Sequence, residues 1–108
     1  MKKLFVFAML FSSLATSTVG ADDYDRRIEF VNLRSESIFH VYGSPSSSNS
    51  WGSDYLGSQV IPSGESAIID FDDGTGACFF DIKVVLKGGG ERYKRVFNVC
   101  ENERLIVR

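Results

Sequence analysis

The residues best suited to specific contacts lie in one stretch, residues 43–57, GSPSSSNSWGSDYLG. An exposed Trp51 or Tyr55 ring offers a flat apolar face, and Ser46, Asn49 and Asp54 offer short hydrogen-bonding groups around it. That combination suits recognition of a sugar or a peptide. The rings have a second reading, folding back to cap the open end of a β-sandwich, because large aromatics are mostly buried. Both readings hold together if only one ring is buried. Pro45, Gly52 and the run of serines argue against a helix or a central strand here. A loop of this length in a small domain is uncommon, and such loops are often functional. The expected contact surface is therefore the 44–57 loop, with Trp51, Asp54, Tyr55, Ser46 and Asn49 as ligand- or partner-binding residues and Asp54 and Tyr55 facing outward.

Catalytic and metal chemistry find less support. His40 is the only histidine, and it stands between Phe39 and Val41 in a strand-like run. Every Ser-His-Asp or Cys-His arrangement would have to use it, and no G-x-S-x-G occurs. No catalytic residue is expected. Asp70, Asp72 and Asp73 precede Gly74 in the manner of a calcium loop. The spacing departs from the EF-hand, whose glycine belongs at the sixth position and here stands at the fifth. A solvated turn is the first reading and a weak Ca²⁺ site the lesser one, so no metal and no cofactor are expected. Gly88, Gly89 and Gly90 precede a strand rather than a helix N-terminus, which makes them a hairpin turn and not a phosphate cradle.

The elements that hold this loop are organised around CFFDIKVVLKGGGERYKRVFNVC, residues 78–100. It reads as strand, glycine turn, strand, with Cys78 and Cys100 equidistant from Gly89. An antiparallel hairpin brings the two cysteines face to face at disulfide distance. Such a bridge contributes about 3 kcal/mol in the chain-entropy account. Cys78, Phe80, Ile82, Val84 and Leu86 alternate and should face the core. Pairing Cys78 with Cys100 puts Asn98, Val96 and Lys94 on that face, although Tyr93, Phe97 and Val99 are the better apolar set. A one-residue bulge near Asn98 reconciles the two patterns.

Upstream, Lys2 and Lys3 followed by an apolar run at 4–11 and the small residues Thr18-Val19-Gly20-Ala21 form a secretory signal pattern. Cleavage is expected after Ala21. The apolar run is far shorter than the roughly 20 residues that cross a bilayer, so no membrane span is expected. The expected organisation is a signal peptide, 1–21, and one domain, 22–108, periplasmic or extracellular. Without Lys2 and Lys3, 10 of the 12 basic residues remain against 14 acidic ones, a net charge of −4 with His40 neutral. An acidic exported domain with no basic block is a poor partner for nucleic acid.

No helical period occurs after residue 21. Short β-type runs at 27–33, 36–42, 58–61, 66–71, 78–86, 91–99 and 104–107 are broken by Gly, Pro, Ser, Asn and Asp. The first two are expected to form a hairpin. The whole is expected to be all-β, a single-domain immunoglobulin-like two-sheet sandwich of about seven strands with one disulfide.

The blocks V-Y-G-S-P-S-S-S-N-S-W-G-S-D-Y-L-G, I-P-S-G-E-S, C-F-F-D-I-K-V-V and F-N-V-C resemble a family of small exported bacterial β-sandwich proteins. Its members carry an S-P-x(5)-W-G-x-D-x-L-G block, a P-x-G-x-S turn, a C-x-x-D-[LI]-[RK]-V strand and a closing N-[LV]-C. Tyr42-Gly43 stands where that family usually has Tyr-Val, and Gly88-Gly89-Gly90 replaces its acidic-Gly turn. The resemblance implies export and a sandwich but brings no established activity. Loop and compartment together point to a non-enzymatic binding module for a protein, peptide or glycan of the cell envelope. The alternative is a periplasmic inhibitor or immunity-type protein that plugs an enzyme cleft with an acidic loop, and hydrolysis at His40 ranks last.

Overall fold

The computed structural model describes residues 24–48 and 50–108. The signal pattern at 1–21 and Asn49 lie outside the described residues. The chain is all-β. Its strands are β1 (Arg27–Asn32), β2 (Ile38–Pro45), β3 (Ser66–Asp70), β4 (Phe79–Leu86), β5 (Glu91–Asn98) and β6 (Arg104–Val107). They form two three-stranded sheets, one ordered β3-β1-β6 and the other β2-β4-β5. Within the first, β1 runs antiparallel to β3 and parallel to β6.

The two sheets face each other because β1, β4 and β6 alternate with period two. Ile28 and Phe30 on β1, Val41 on β2, Phe80, Ile82, Val84 and Leu86 on β4, and Leu105 and Val107 on β6 turn inward. Phe71, just after β3, ties the layers together, with its ring centroid 6.0 Å from Phe30 and 5.3 Å from Phe80. Each such fully buried side chain contributes about 1.5–3 kcal/mol. Arg26 is buried too, and donates to the carbonyls of Ala77 at 2.8 Å and Gly76 at 3.0 Å, fixing the entry to β4.

Among the described residues there are six strands, not seven. Residues 58–61 supply only a single bridge, in which Ile61 and Ile38 exchange both backbone hydrogen bonds. Pro62 has no N–H with which to continue the pairing. The expected hairpin of β1 with β2 is also absent, since the two strands lie in different sheets. Asn32 turns the corner between them. Its buried amide donates to the carbonyls of Glu36 and Ile61, and its oxygen accepts the N–H of Arg34. Every polar group of that buried side chain has a partner, as burial requires.

The cysteine hairpin and its bridge form, although Phe79 pairs with Asn98, one residue off the register that sets Cys78 directly opposite Cys100. Cys78 and Cys100 are bonded, with Cα atoms 5.3 Å apart, and Gly88 and Gly89 take positive φ in the turn. The bulge is present but lies earlier than Asn98. Phe80 pairs with Phe97 and Ile82 with Lys94, so Arg95 and Val96 together oppose Asp81. The extra residue reverses the facing of the rest of the strand, and Phe97 and Val99 turn into the core. Val96 sits at φ 53°, an unusual setting for a β-branched side chain.

A candidate functional site on the outer face of the second sheet

Register alone places three residues in a row across the outside of the β2-β4-β5 sheet. Tyr42 is opposite Lys83, and Lys83 is opposite Tyr93. The 46–57 loop lays the half-buried Trp51 over this row. The Lys83 ammonium sits 5.3 Å from the Trp51 ring centre and 5.0 Å from that of Tyr42. The Arg95 guanidinium lies 5.6 Å from the Trp51 ring and 5.1 Å from that of Tyr93. Trp51 therefore neither caps the core nor stands free; alternating rings and cations hold it on the sheet, each contact worth about 0.5–1 kcal/mol at such exposure.

Beside it, Ser44, Ser46, Ser48, Ser50, Trp51, Asp81 and Arg95 line a polar pocket of about 330 Å³. Asp81 is its anionic floor. Its carboxylate accepts the N–H of Val96 at 2.9 Å, the Ser46 hydroxyl at 3.0 Å and an Arg95 N–H at 3.4 Å. The Val96 N–H does most to hold its carboxyl below the usual aspartate range, against a smaller upward push from burial, with Ser46 and Arg95 adding to it. Asp81 thus supports the strained bulge and shapes the pocket at once, and strain of this kind collects at functional sites. The pocket combines hydroxyls, a carboxylate, a guanidinium and an indole. Those groups match the vicinal hydroxyls and apolar ring face of a sugar.

The remaining expected site residues have other partners. The Asp54 side chain is only 16% exposed. Its Oδ1 accepts the N–H groups of Val41 and Leu56, each at 2.9 Å, and its Oδ2 lies 2.7 Å from His40 Nδ1. An ionised carboxylate only accepts, so Nδ1 carries the proton. Burial would push the Asp54 carboxyl up, but the hydrogen bonds from His40, Val41 and Leu56 together outweigh it and hold it low. Instead of facing outward, Asp54 stands where a neighbouring strand would, satisfying the free edge of β2. Tyr55 comes next, its N–H donating to the Val41 carbonyl at 2.8 Å. Its half-buried ring packs 4.8 Å from Phe71, so Tyr55 rather than Trp51 is the capping aromatic. Gly43 makes that possible, because a Cβ there would stand 2.6 Å from Phe71 and 3.1 Å from Tyr55.

Trp51 and Ser46 are thus brought to one pocket, Asp54 and Tyr55 to the scaffold behind it. Asp81 and Arg95 join the pocket, and Lys83 and Tyr93 the row under Trp51, although the loop sequence does not name them. The cysteine register would set Lys83 opposite Arg95, and the bulge brings Tyr93 there instead; nothing in the sequence says that the loop folds onto them. His40 gains a carboxylate partner, Asp54, that strand patterning does not reveal, and among the described residues no hydroxyl or thiol hydrogen bonds to His40. The carboxylates of Asp70, Asp72 and Asp73 accept the nearby N–H groups of Asp72, Gly74 and Thr75. Among the described residues no group of three or more His, Cys, Asp or Glu converges as metal ligands. No helix among them is long and apolar enough to cross a membrane. No family model, curated protein or solved structure matches the chain.

Proposed function

We propose that the protein is an exported, non-enzymatic binding module whose ligand is a saccharide of the cell envelope. The pocket framed by Trp51, the serines, Asp81 and Arg95 carries the reading. A sugar ring would place its apolar face against the indole and its hydroxyls against Asp81, Arg95 and the serine side chains. The disulfide is consistent with an oxidising compartment and so with export. The two packed sheets support an immunoglobulin-like reading of the architecture, although here the disulfide joins neighbouring strands of one hairpin.

The alternative, an inhibitor or immunity-type protein, calls for an acidic loop free to enter a cleft. Asp54 is committed to Val41, Leu56 and His40, which weighs against it. The experiment is an array of envelope oligosaccharides, peptidoglycan fragments included, probed with the disulfide-bonded protein. A subset should bind, and Trp51→Ala should bind it at least about thirtyfold more weakly, the loss of a dominant contact residue. Recovery of an enzyme as the tight partner, with no saccharide bound, favours the alternative.

A further inference from the structure

A second surface lies on the opposite flank, where both sheets stop. β5 is the last strand of one sheet and β6 the last of the other, and no described strand pairs with either outer edge. Such edges are normally blunted, often by inward-pointing charges. Here Arg92 stands opposite Val84 and Lys94 opposite Ile82, on the core-facing side of β5. With Arg104 and Arg108 they rim a groove of about 360 Å³ over Phe97 and Leu105.

The charges in that rim are largely uncompensated. Arg104 is held by Glu29 at 3.0 Å. Arg92 donates only to a backbone carbonyl, that of Glu91 at 2.9 Å. Neither Arg92 nor Lys94 has a carboxylate within ion-pair distance among the described residues, although the chain as a whole is acidic. The floor is closed, with Phe97 8% and Leu105 9% exposed. An added strand needs only the free edge.

We propose that this flank docks an acidic extended peptide of a partner protein, which adds a strand at the outer edge of β5. Its carboxylates lie on Arg92 and Lys94 over the groove, its alternate apolar side chains lie on the outer face beside Tyr93, and its backbone pairs with the sheet edge. The bulge at Arg95 and Val96 ends regular pairing at Lys94, so the docked segment is short and its binding salt-sensitive. The same two cations that repel neutral and basic strands admit an acidic one, so they select as well as protect. The flank adjoins the Trp51 row through Tyr93, whose ring centre lies 6.3 Å from that of Trp51, but uses none of the serines or Asp81 of the pocket.

The test is an amide NMR titration of the disulfide-bonded protein at low salt. The probes are acetyl-Glu-Val-Glu-Val-Glu-amide and its Lys-Val-Lys-Val-Lys counterpart. The acidic peptide should shift the amides of 91–94 and 104–107 and slow their hydrogen exchange, leaving the amides of Ser46 and Ser48 in place. The combined Arg92→Glu and Lys94→Glu variant should weaken it at least about tenfold, and the Gln pair should fall between, each with an otherwise native spectrum. Equal binding of the basic peptide, or charge reversal without effect, would overturn the proposal. So would the same shifts produced by anionic vesicles alone, or by raising the protein concentration, which would assign the flank to lipid or to a second copy.

Discussion

The Asp54 carboxylate accepts the backbone N–H of Val41 at 2.9 Å, so a side chain from the loop completes the edge of β2 where no strand pairs. Removing it leaves the Val41 and Leu56 donors without partners. Asp54→Ala should therefore cost about 1–3 kcal/mol and release the loop, read as a lower midpoint in denaturant and faster exchange of the Val41 and Leu56 amides. An unchanged midpoint would mean that the carboxylate is a surface group.

The same contact sets a pH dependence. The folded Asp54 carboxyl lies below its ordinary value of 3.8, so its contribution is fully present above that value. It is lost as pH falls from 3.8 through the lowered folded value. Asp54→Asn should flatten the stability profile in that acid window. A variant profile as steep as the wild type's in the acid window would assign the dependence to other carboxyls.

Gly43 admits the Tyr55 ring against Phe71 because it has no Cβ. Gly43→Val should overpack this corner and cost about 1–3 kcal/mol. Tyr55→Phe should be nearly neutral, as the ring and not its hydroxyl fills the site. A stable Gly43→Val variant would show that the ring does not pack there.

Much of the fold is legible in the residues, for reasons that mark where legibility ends. The hairpin can be read from two cysteines spaced about a glycine turn, and the need for a bulge from the mismatch between the apolar faces of β4 and β5. Its position cannot. The bulge is set by Asp81, whose carboxylate takes the Val96 N–H, a contact between side chain and backbone that no period encodes. Turn residues at 32–36 suggest a hairpin, but a turn signal does not distinguish a hairpin from a corner between sheets. Asn32 decides that through three hydrogen bonds beneath the surface. In the loop, the ring types indicate that aromatics serve as both scaffold and surface, while Gly43 decides which ring is which.

The Cys78–Cys100 bridge joins the outer ends of the organising hairpin. Cys78→Ala should lower stability by about 2–5 kcal/mol, and intact mass of the native protein should be two hydrogens below the all-thiol value. Full thiol labelling of denatured, unreduced protein would contradict the bridge.

Saccharide binding at the Trp51 pocket can be read without a label, because Trp51 is the only tryptophan and its emission reports the pocket. The decisive measurement is a fluorescence titration of the disulfide-bonded protein with the oligosaccharides retained on the array, run beside Ser46→Ala and Asp54→Asn. Emission should change saturably. Affinity should fall at least about fivefold in Ser46→Ala through the lost hydrogen bond, and stay near normal in folded Asp54→Asn. Emission that stays unchanged while a saccharide demonstrably binds would place the ligand elsewhere and contradict the assignment of the pocket.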